Sequence, residues 1–202
     1  LLFNFYEIIV QIESSSSELL DLLSKDFSYF LDKNPCGIPD YLFSCFHTEI
    51  PWKKLPDLTV IHQTNHVLTY QQAQVRYNDY YGKLLSIYDY QTERAELFSP
   101  HLHKLREVVY LLILSRVGKK LDLKGQHRLH ALGVIINQTA VLGIMPIKGG
   151  KTTLLSSLLS DTSIELISDD TPLICDDGKV LPFPLKLGID DTSESPLQHL
   201  ID

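Results

Sequence analysis

The chain has 202 residues, 44% of them hydrophobic, and a formal net charge of −7. This length allows a sizeable core in one or two domains, and the acidic balance argues against a protein that coats nucleic acid. The longest apolar run, residues 108–114, is about half a membrane span, so we expect no membrane segment. The three cysteines show no metal-ligand spacing, and so sparse and odd a number suits a cytoplasmic protein.

The first hundred residues predict a smaller, β-rich α/β domain. A strand is expected over 3–12, and the serines at 14–17 offer N-caps for a helix over about 17–31. Further short strands are expected in a meander, at 41–50, 59–62, 66–70, 73–77, 83–89 and 94–98. A helix beginning after Pro100 is expected to end near Gly118. We therefore divide the chain into an N-terminal domain (1–100), a linking helix (101–124) and a second domain (125–202).

A phosphate-binding loop is the strongest functional pattern in the chain. The sequence G-G-K-T at 149–152 lies between an apolar run at 139–144, which predicts a buried strand, and a helical pattern at 154–159. A strand, a glycine turn and a helix N-terminus form the setting in which backbone N–H groups hold phosphate oxygens. Lys151 would place positive charge on the phosphates, and the Thr152 hydroxyl would reach Mg²⁺.

This loop departs from the full pattern at three positions. Met145 stands where the pattern has glycine, and it cannot adopt a positive φ as cheaply as glycine does. Pro146 and Lys148 are also unusual in such a loop. Lys148 either supplies a second phosphate contact or is solvated. A strand–turn–helix joint that binds nothing therefore stays the alternative.

An acidic pair follows the next predicted strand, at 164–167. Asp169 and Asp170 come directly after it. Two carboxylates in this position suit phosphoryl transfer, because one helps to hold Mg²⁺ while the other accepts the proton of a hydroxyl nucleophile. Like charges this close raise the pKa of one carboxyl unless a cation lies between them. If the phosphate-binding loop did not precede them, a turn would be the simpler interpretation of the two aspartates. The Asp-Gly at 177–178 predicts only a hairpin turn.

His130 precedes an apolar run at 131–136. We expect this run to form a strand paired with 139–145 through a turn at Asn137 and Gln138. A histidine at a strand start can contact phosphate or polarise a hydroxyl group. A structural or surface role is the alternative.

Four segments in this order, 130–134, 143–153, 166–170 and 182–187, resemble the catalytic domain of HPr kinase/phosphorylase. They are more similar still to the HPr-kinase-related kinases, which share the phosphoenolpyruvate carboxykinase fold and include lasso-peptide kinases. The resemblance covers about residues 125–190. It implies an α/β P-loop core with a mixed sheet, and ATP and Mg²⁺ as cofactors. The acidic-glycine signature of true HPr kinase is not visible downstream.

The resemblance also implies a role for each matching residue. Asp169 would be the catalytic base, and His130 would lie near the transferred phosphoryl group. Asp170 would support the site or hold Mg²⁺ together with Thr152. The residues that would hold the nucleotide are Lys148, Gly149, Gly150, Lys151, Thr152 and Thr153.

The leading functional interpretation is an ATP- and Mg²⁺-dependent kinase that phosphorylates a Ser/Thr-type hydroxyl of a protein or peptide, or a small molecule. The rival is a non-catalytic, nucleotide-gated interaction protein with a degenerate loop. A carboxykinase acting on an organic acid would need an arginine-rich pocket, and the arginines show no clustering in the sequence. We expect no nucleic-acid or membrane partner and leave a homo-oligomer open. We also expect the second domain to be incomplete at residue 202.

Overall fold

The computed structural model describes residues 1–32, 37–146, 149–159 and 163–185. The chain divides into two compact units, Leu1–Val117 and a second that begins at Gly118. It is a mixed α/β protein with one large mixed sheet and two small sheets. Among the described residues, no helix is both long and apolar enough to cross a membrane.

The first unit contains an eight-stranded sheet, one complete helix and most of a second helix. The strands are β1 (Leu2–Asn4), β2 (Ile9–Ser14), β3 (Tyr41–His47), β4 (His62–Gln63), β5 (Leu68–Gln72), β6 (Val75–Asp79), β7 (Leu85–Asp89) and β8 (Arg94–Ser99), and the helices are α1 (Ser17–Asp26) and α2 (Leu102–Leu123). The strand order is β1-β2-β3-β8-β7-β6-β5-β4. The pairs β2–β3 and β3–β8 are parallel, so β3 does not belong to the predicted meander. The meander is confirmed for β4 to β8, which form successive antiparallel pairs.

Buried residues in this unit alternate along the strands and lie on one face of the helices. In β3, Tyr41, Phe43 and Cys45 are buried, while the residues between them are partly exposed. In α1, the Ser16 hydroxyl caps the helix by accepting the Leu19 N–H at 3.3 Å, and buried leucines follow on one face. The buried hydrophobic residues of α2 within this unit are Leu105, Val108, Val109, Ile113 and Val117. Each such side chain contributes about 1.5–3 kcal/mol through burial.

Two boundaries differ from the sequence expectation. The strand predicted at 3–12 is two strands, because Tyr6 and Glu7 adopt left-handed φ values of 54° and 69° and turn the chain. Helix α2 does not end near Gly118, since one interior glycine costs only about 1 kcal/mol and does not break a helix. The guanidinium of Arg128 fills the space where a Gly118 side chain would lie. The glycine that follows the helix is Gly125, with φ +71°.

The second unit contains two three-stranded antiparallel sheets and one further helix. The elements are β9 (Gln126–Arg128), β10 (Leu132–Ile136), β11 (Thr139–Gly143), α3 (Lys151–Leu159), β12 (Glu165–Ser168), β13 (Leu173–Cys175) and β14 (Val180–Leu181). The sheet orders are β11-β10-β12 and β14-β13-β9. Both predicted hairpins are confirmed, with positive φ at Asn137, Gln138 and Gly178. Leu132 and Val134 of β10 form a buried cluster with Leu155 of α3.

Candidate functional site

Three segments converge at one end of the β11-β10-β12 sheet. Strand β10 lies between the other two and is antiparallel to both, so its first residues pair with the last residues of its neighbours. Leu132 pairs with Gly143, and Gly133 pairs with Ser168. Three features therefore meet at the same end of the sheet: His130 before β10, the glycine loop after β11 and the acidic pair after β12.

The segments pack closely at this end of the sheet because Gly133 has no side chain. A Cβ at this position would lie 3.2 Å from Pro172 Cβ and 3.3 Å from both Ile167 Cβ and Leu142 Cδ2, which is tighter than ordinary contact. A glycine inside a predicted strand is the sequence signal of such an approach. The close packing brings the segment after β12 against the start of β10.

Ser168 holds the turn that carries the acidic pair. Its side chain is buried, donates to the Phe183 carbonyl at 3.2 Å and accepts the Thr171 N–H at 3.1 Å. Sequence reasoning assigned Ser168 no role, although a polar residue at the end of an apolar strand was a visible signal. Phe183 belongs to the 182–187 segment quoted for the family resemblance, whose residues 186 and 187 lie outside the described part.

Backbone hydrogen bonds on both sides of His130 place its side chain. The Leu129 N–H donates to the Pro172 carbonyl, and the Ala131 N–H donates to the Asp170 carbonyl, both at 3.0 Å. The histidine is thereby held beside Asp170. Strand pairing thus makes Asp170, which follows His130 by 40 residues in the sequence, its direct neighbour.

Lys151, His130 and Asp170 form a hydrogen-bonded triad. Lys151 Nζ lies 2.5 Å from Asp170 Oδ1 and 2.9 Å from His130 Nε2, the shorter of its two contacts with the ring. His130 Nδ1 lies 3.0 Å from Asp170 Oδ1. An ammonium group only donates, so Lys151 donates to the Asp170 carboxylate. The lysine side chain is 16% exposed, whereas those of His130 and Asp170 are 54% and 48% exposed, which leaves the latter two open to a ligand.

Asp169 lies next to this triad and is half-buried. Burial raises the pKa of its carboxyl above the ordinary value; the Asp170 charge adds to this rise, while backbone N–H groups and the Lys151 charge oppose it. Charge repulsion within the acidic pair was expected to raise the pKa of one carboxyl, but desolvation is the larger cause for Asp169. A carboxylate in this setting is a stronger base than an exposed aspartate.

The turn before α3 requires glycine at one position for space and at the next for conformation. The Gly149 N–H donates to the Pro146 carbonyl at 2.8 Å, and a Cβ on Gly149 would lie 2.7 Å from that oxygen. Gly150 has φ +87°, and no described atom lies within 4 Å of the position of a Cβ there. Met145 is not among the described residues with positive φ, so its backbone does not need glycine. The open space above Gly150 allows a ligand to approach the backbone.

Gly149→Ala should displace this turn and weaken the stabilisation that ATP with Mg²⁺ confers, because the methyl group collides with a backbone oxygen. The measurement is the thermal midpoint with and without nucleotide. Gly82→Ala is the matched control, since Gly82 has φ +77° and open space in a turn of the first unit. It should lower stability by about 1 kcal/mol and leave the nucleotide effect intact. An unchanged nucleotide effect in Gly149→Ala would contradict the assigned loop.

Not every predicted site residue is brought to the triad. Lys148 lies outside the described residues. The backbone of Thr152 belongs to α3, but its side chain is not described. Thr153 is exposed on α3, and its carbonyl accepts the Ser157 hydroxyl at 3.1 Å. The predicted residues that the structure groups together are His130, Lys151, Asp169 and Asp170.

The acidic pair offers carboxylates of the kind that bind the Mg²⁺ of a nucleotide. Within the described part of the chain, no cluster of three or more His, Cys, Asp or Glu residues is arranged to hold a metal ion. Mg²⁺ in nucleotide sites is usually held by one or two carboxylates, with phosphate oxygens and waters as the other ligands. Asp170 can supply one such carboxylate, and Asp169 beside it is then left for proton transfer.

Comparison of the chain with protein-family models, curated proteins and solved structures found no match.

Proposed function

We propose that the second unit binds a nucleoside triphosphate with Mg²⁺ and transfers its terminal phosphoryl group to a hydroxyl group of a protein, peptide or small molecule. The observation that carries the proposal is the position of Lys151. It is the first residue of α3, directly after the Gly149–Gly150 turn, and it contacts groups from the two other converging segments. We propose further that this unit belongs to the HPr-kinase-related kinases and has their carboxykinase-type fold.

The charges of the site support a Mg²⁺-dependent nucleotide. One ammonium group, Lys151, faces the carboxylates Asp169 and Asp170, so the site alone is not positive enough to hold a highly charged triphosphate. Bound Mg²⁺ would neutralise phosphate charge at the acidic pair. Lys151 would hold phosphate oxygens together with the first N–H groups of α3. Asp169, whose pKa is raised, would accept the proton of the attacking hydroxyl.

A carboxykinase activity has less support. An organic-acid substrate would need arginines to bind its carboxylate. Arg106 donates to Asp26 at 2.7 Å and Arg116 donates to Glu93 at 2.6 Å, both within the first unit. These two arginines already have carboxylate partners.

ATP with Mg²⁺ should raise the thermal midpoint of the protein, because a ligand that binds only the folded state stabilises it by about 2.7 kcal/mol at 100 times its Kd. AMP should produce a much smaller effect, since the loop contacts the outer phosphates, and EDTA should suppress the effect of ATP. Transfer would then be followed with radiolabelled ATP against lysate proteins and peptides. Absence of any stabilisation by ATP with Mg²⁺ would refute the proposal, and stabilisation without turnover would favour the nucleotide-gated interaction protein.

A further inference from the structure

We infer that the first unit binds a carboxylic acid with an apolar body, in a cavity on its eight-stranded sheet. Arg94 and Ser44 hold the single carboxylate of the ligand, and apolar side chains pack against its body. All residues that line the cavity belong to the first unit, so the site is independent of the triad and of the proposed function.

The cavity lies on the face of the sheet opposite to Phe43. In β3, Phe43 is buried on one face, while Leu42 and Ser44 are partly exposed on the other. Strand pairing places Arg94 of β8 between Leu42 of β3 and Asp89 of β7, and side chains paired in this way share one face. The cavity has a volume of about 400 Å³, which is in the usual range of small-molecule sites.

Apolar side chains line two sides of the cavity. Leu42 lies on the side of β3, and Val75 and Ile87 lie on the side of β6 and β7. All three are partly exposed to solvent. An apolar group that covered them would remove hydrocarbon surface from water, which is favourable. The cavity therefore favours a ligand with an apolar body.

The two acidic side chains of the cavity already have partners. Asp89 accepts the Gln91 N–H at 2.8 Å and the Thr92 hydroxyl at 2.9 Å, both within the turn that follows β7. Glu96 accepts a hydrogen bond from Lys54 Nζ at 2.6 Å. These carboxylates would repel each additional negative charge on a ligand. The cavity therefore disfavours polyanions such as nucleotides and favours a ligand with one negative charge.

Arg94 and Ser44 supply the hydrogen-bond donors for that charge. Arg94 is exposed, and within the described part of the chain neither its guanidinium nor the Ser44 hydroxyl makes a hydrogen bond or an ion pair. Asp89 lies directly across from Arg94, but its oxygens accept hydrogen bonds from its own turn. A guanidinium presents a planar fork of N–H donors that matches a carboxylate, and a hydroxyl adds one more donor. The donors of the cavity thus fit a single carboxylate.

Calorimetric titration of the full chain tests the site with three probes: isocaproate, the peptide N-acetyl-Ala-Leu with a free carboxylate, and the same peptide as its C-terminal amide. At least one of the two acids should bind, and the amide should bind at least about tenfold more weakly than its acid, because hydrogen bonds to a charged group are lost. Binding of isocaproate alone identifies a small free acid as the ligand. Tighter binding of the peptide acid identifies the C-terminal residue of a peptide.

Arg94→Gln should weaken binding of the acid by at least about tenfold, and Ser44→Ala by about three- to tenfold. Arg94→Lys keeps the charge but loses the planar fork, so its affinity should lie between those of Arg94→Gln and the wild type. Lys25→Gln is the matched control: it removes one positive charge from an exposed position on α1, and Lys25 does not line the cavity. This variant should bind as the wild type does. The thermal midpoint without ligand verifies that each variant is folded.

Nuclear magnetic resonance locates the bound acid. Addition of the acid should shift the backbone amide signals of Ser44 and Ile87, which line the cavity. Three results would overturn the inference: no binding of either acid at about 10 mM, equal binding of the peptide acid and its amide, or wild-type affinity in both Arg94 variants. Signal changes confined to the second unit would also overturn it.

Discussion

Lys151→Ala is expected to abolish most of the stabilisation by ATP with Mg²⁺ and to reduce phosphoryl transfer by about 10²–10³-fold. The substitution removes the cation at the start of α3, where it contacts Asp170 and His130. It should also raise the pKa of the Asp169 carboxyl further, because the Lys151 charge is one of the influences that lower it. The measurements are the nucleotide-dependent shift in thermal midpoint and the rate of transfer from labelled ATP.

Lys179→Ala is the control for this prediction. Lys179 also pairs with an aspartate, Asp177 at 2.7 Å, but both side chains are more than half exposed in the β13–β14 hairpin. Exposed pairs of this kind contribute little to stability, so the variant should behave as the wild type does in both assays. An equal nucleotide effect in Lys151→Ala and wild type would remove the loop from the binding site, and with it the proposed function.

Asp169→Asn is expected to keep nucleotide binding and to lose at least about 100-fold in phosphoryl transfer to an acceptor. The amide preserves the shape of the side chain but cannot take the hydroxyl proton. In the wild type, the rate should fall as pH falls through the raised pKa of Asp169, at a higher pH than an ordinary aspartate would give. Wild-type transfer by the variant would exclude Asp169 as the base.

Asp169→Asn should lower phosphoryl transfer but raise the stability of the protein, and the two effects can be measured separately. Because the pKa of Asp169 is raised in the folded state, its contribution to stability is fully present below the unfolded-state pKa and is lost as pH rises through the folded-state value. Asp169→Asn should therefore stabilise the protein without ligand at neutral pH. Asp177→Asn is the contrasting variant, since Lys179 lowers the pKa of Asp177 and the sign reverses. Denaturant unfolding at pH 4 and pH 7 would measure both.

The sequence by itself was sufficient for the features that depend on neighbouring residues. Both hairpins of the second unit were predictable because their turns need residues that tolerate positive φ, and Asn137, Gln138 and Gly178 meet that need. The helix after the glycine loop was predictable from its apolar pattern and its start signals. His130, Lys151, Asp169 and Asp170 were recognised as candidates for the same reason, from their positions at predicted strand and helix ends.

Only the tertiary structure decided which of these residues touch and why the pKa of Asp169 is raised. Before the structure, only the family resemblance separated the roles of Asp169 and Asp170. In the structure, Asp170 contacts Lys151 and His130, while Asp169 lies in a desolvated position. The role of Ser168 was likewise set by a distant group, the Phe183 carbonyl. Contacts of this kind depend on register and packing between segments far apart in the chain, and local patterns contain no information on either.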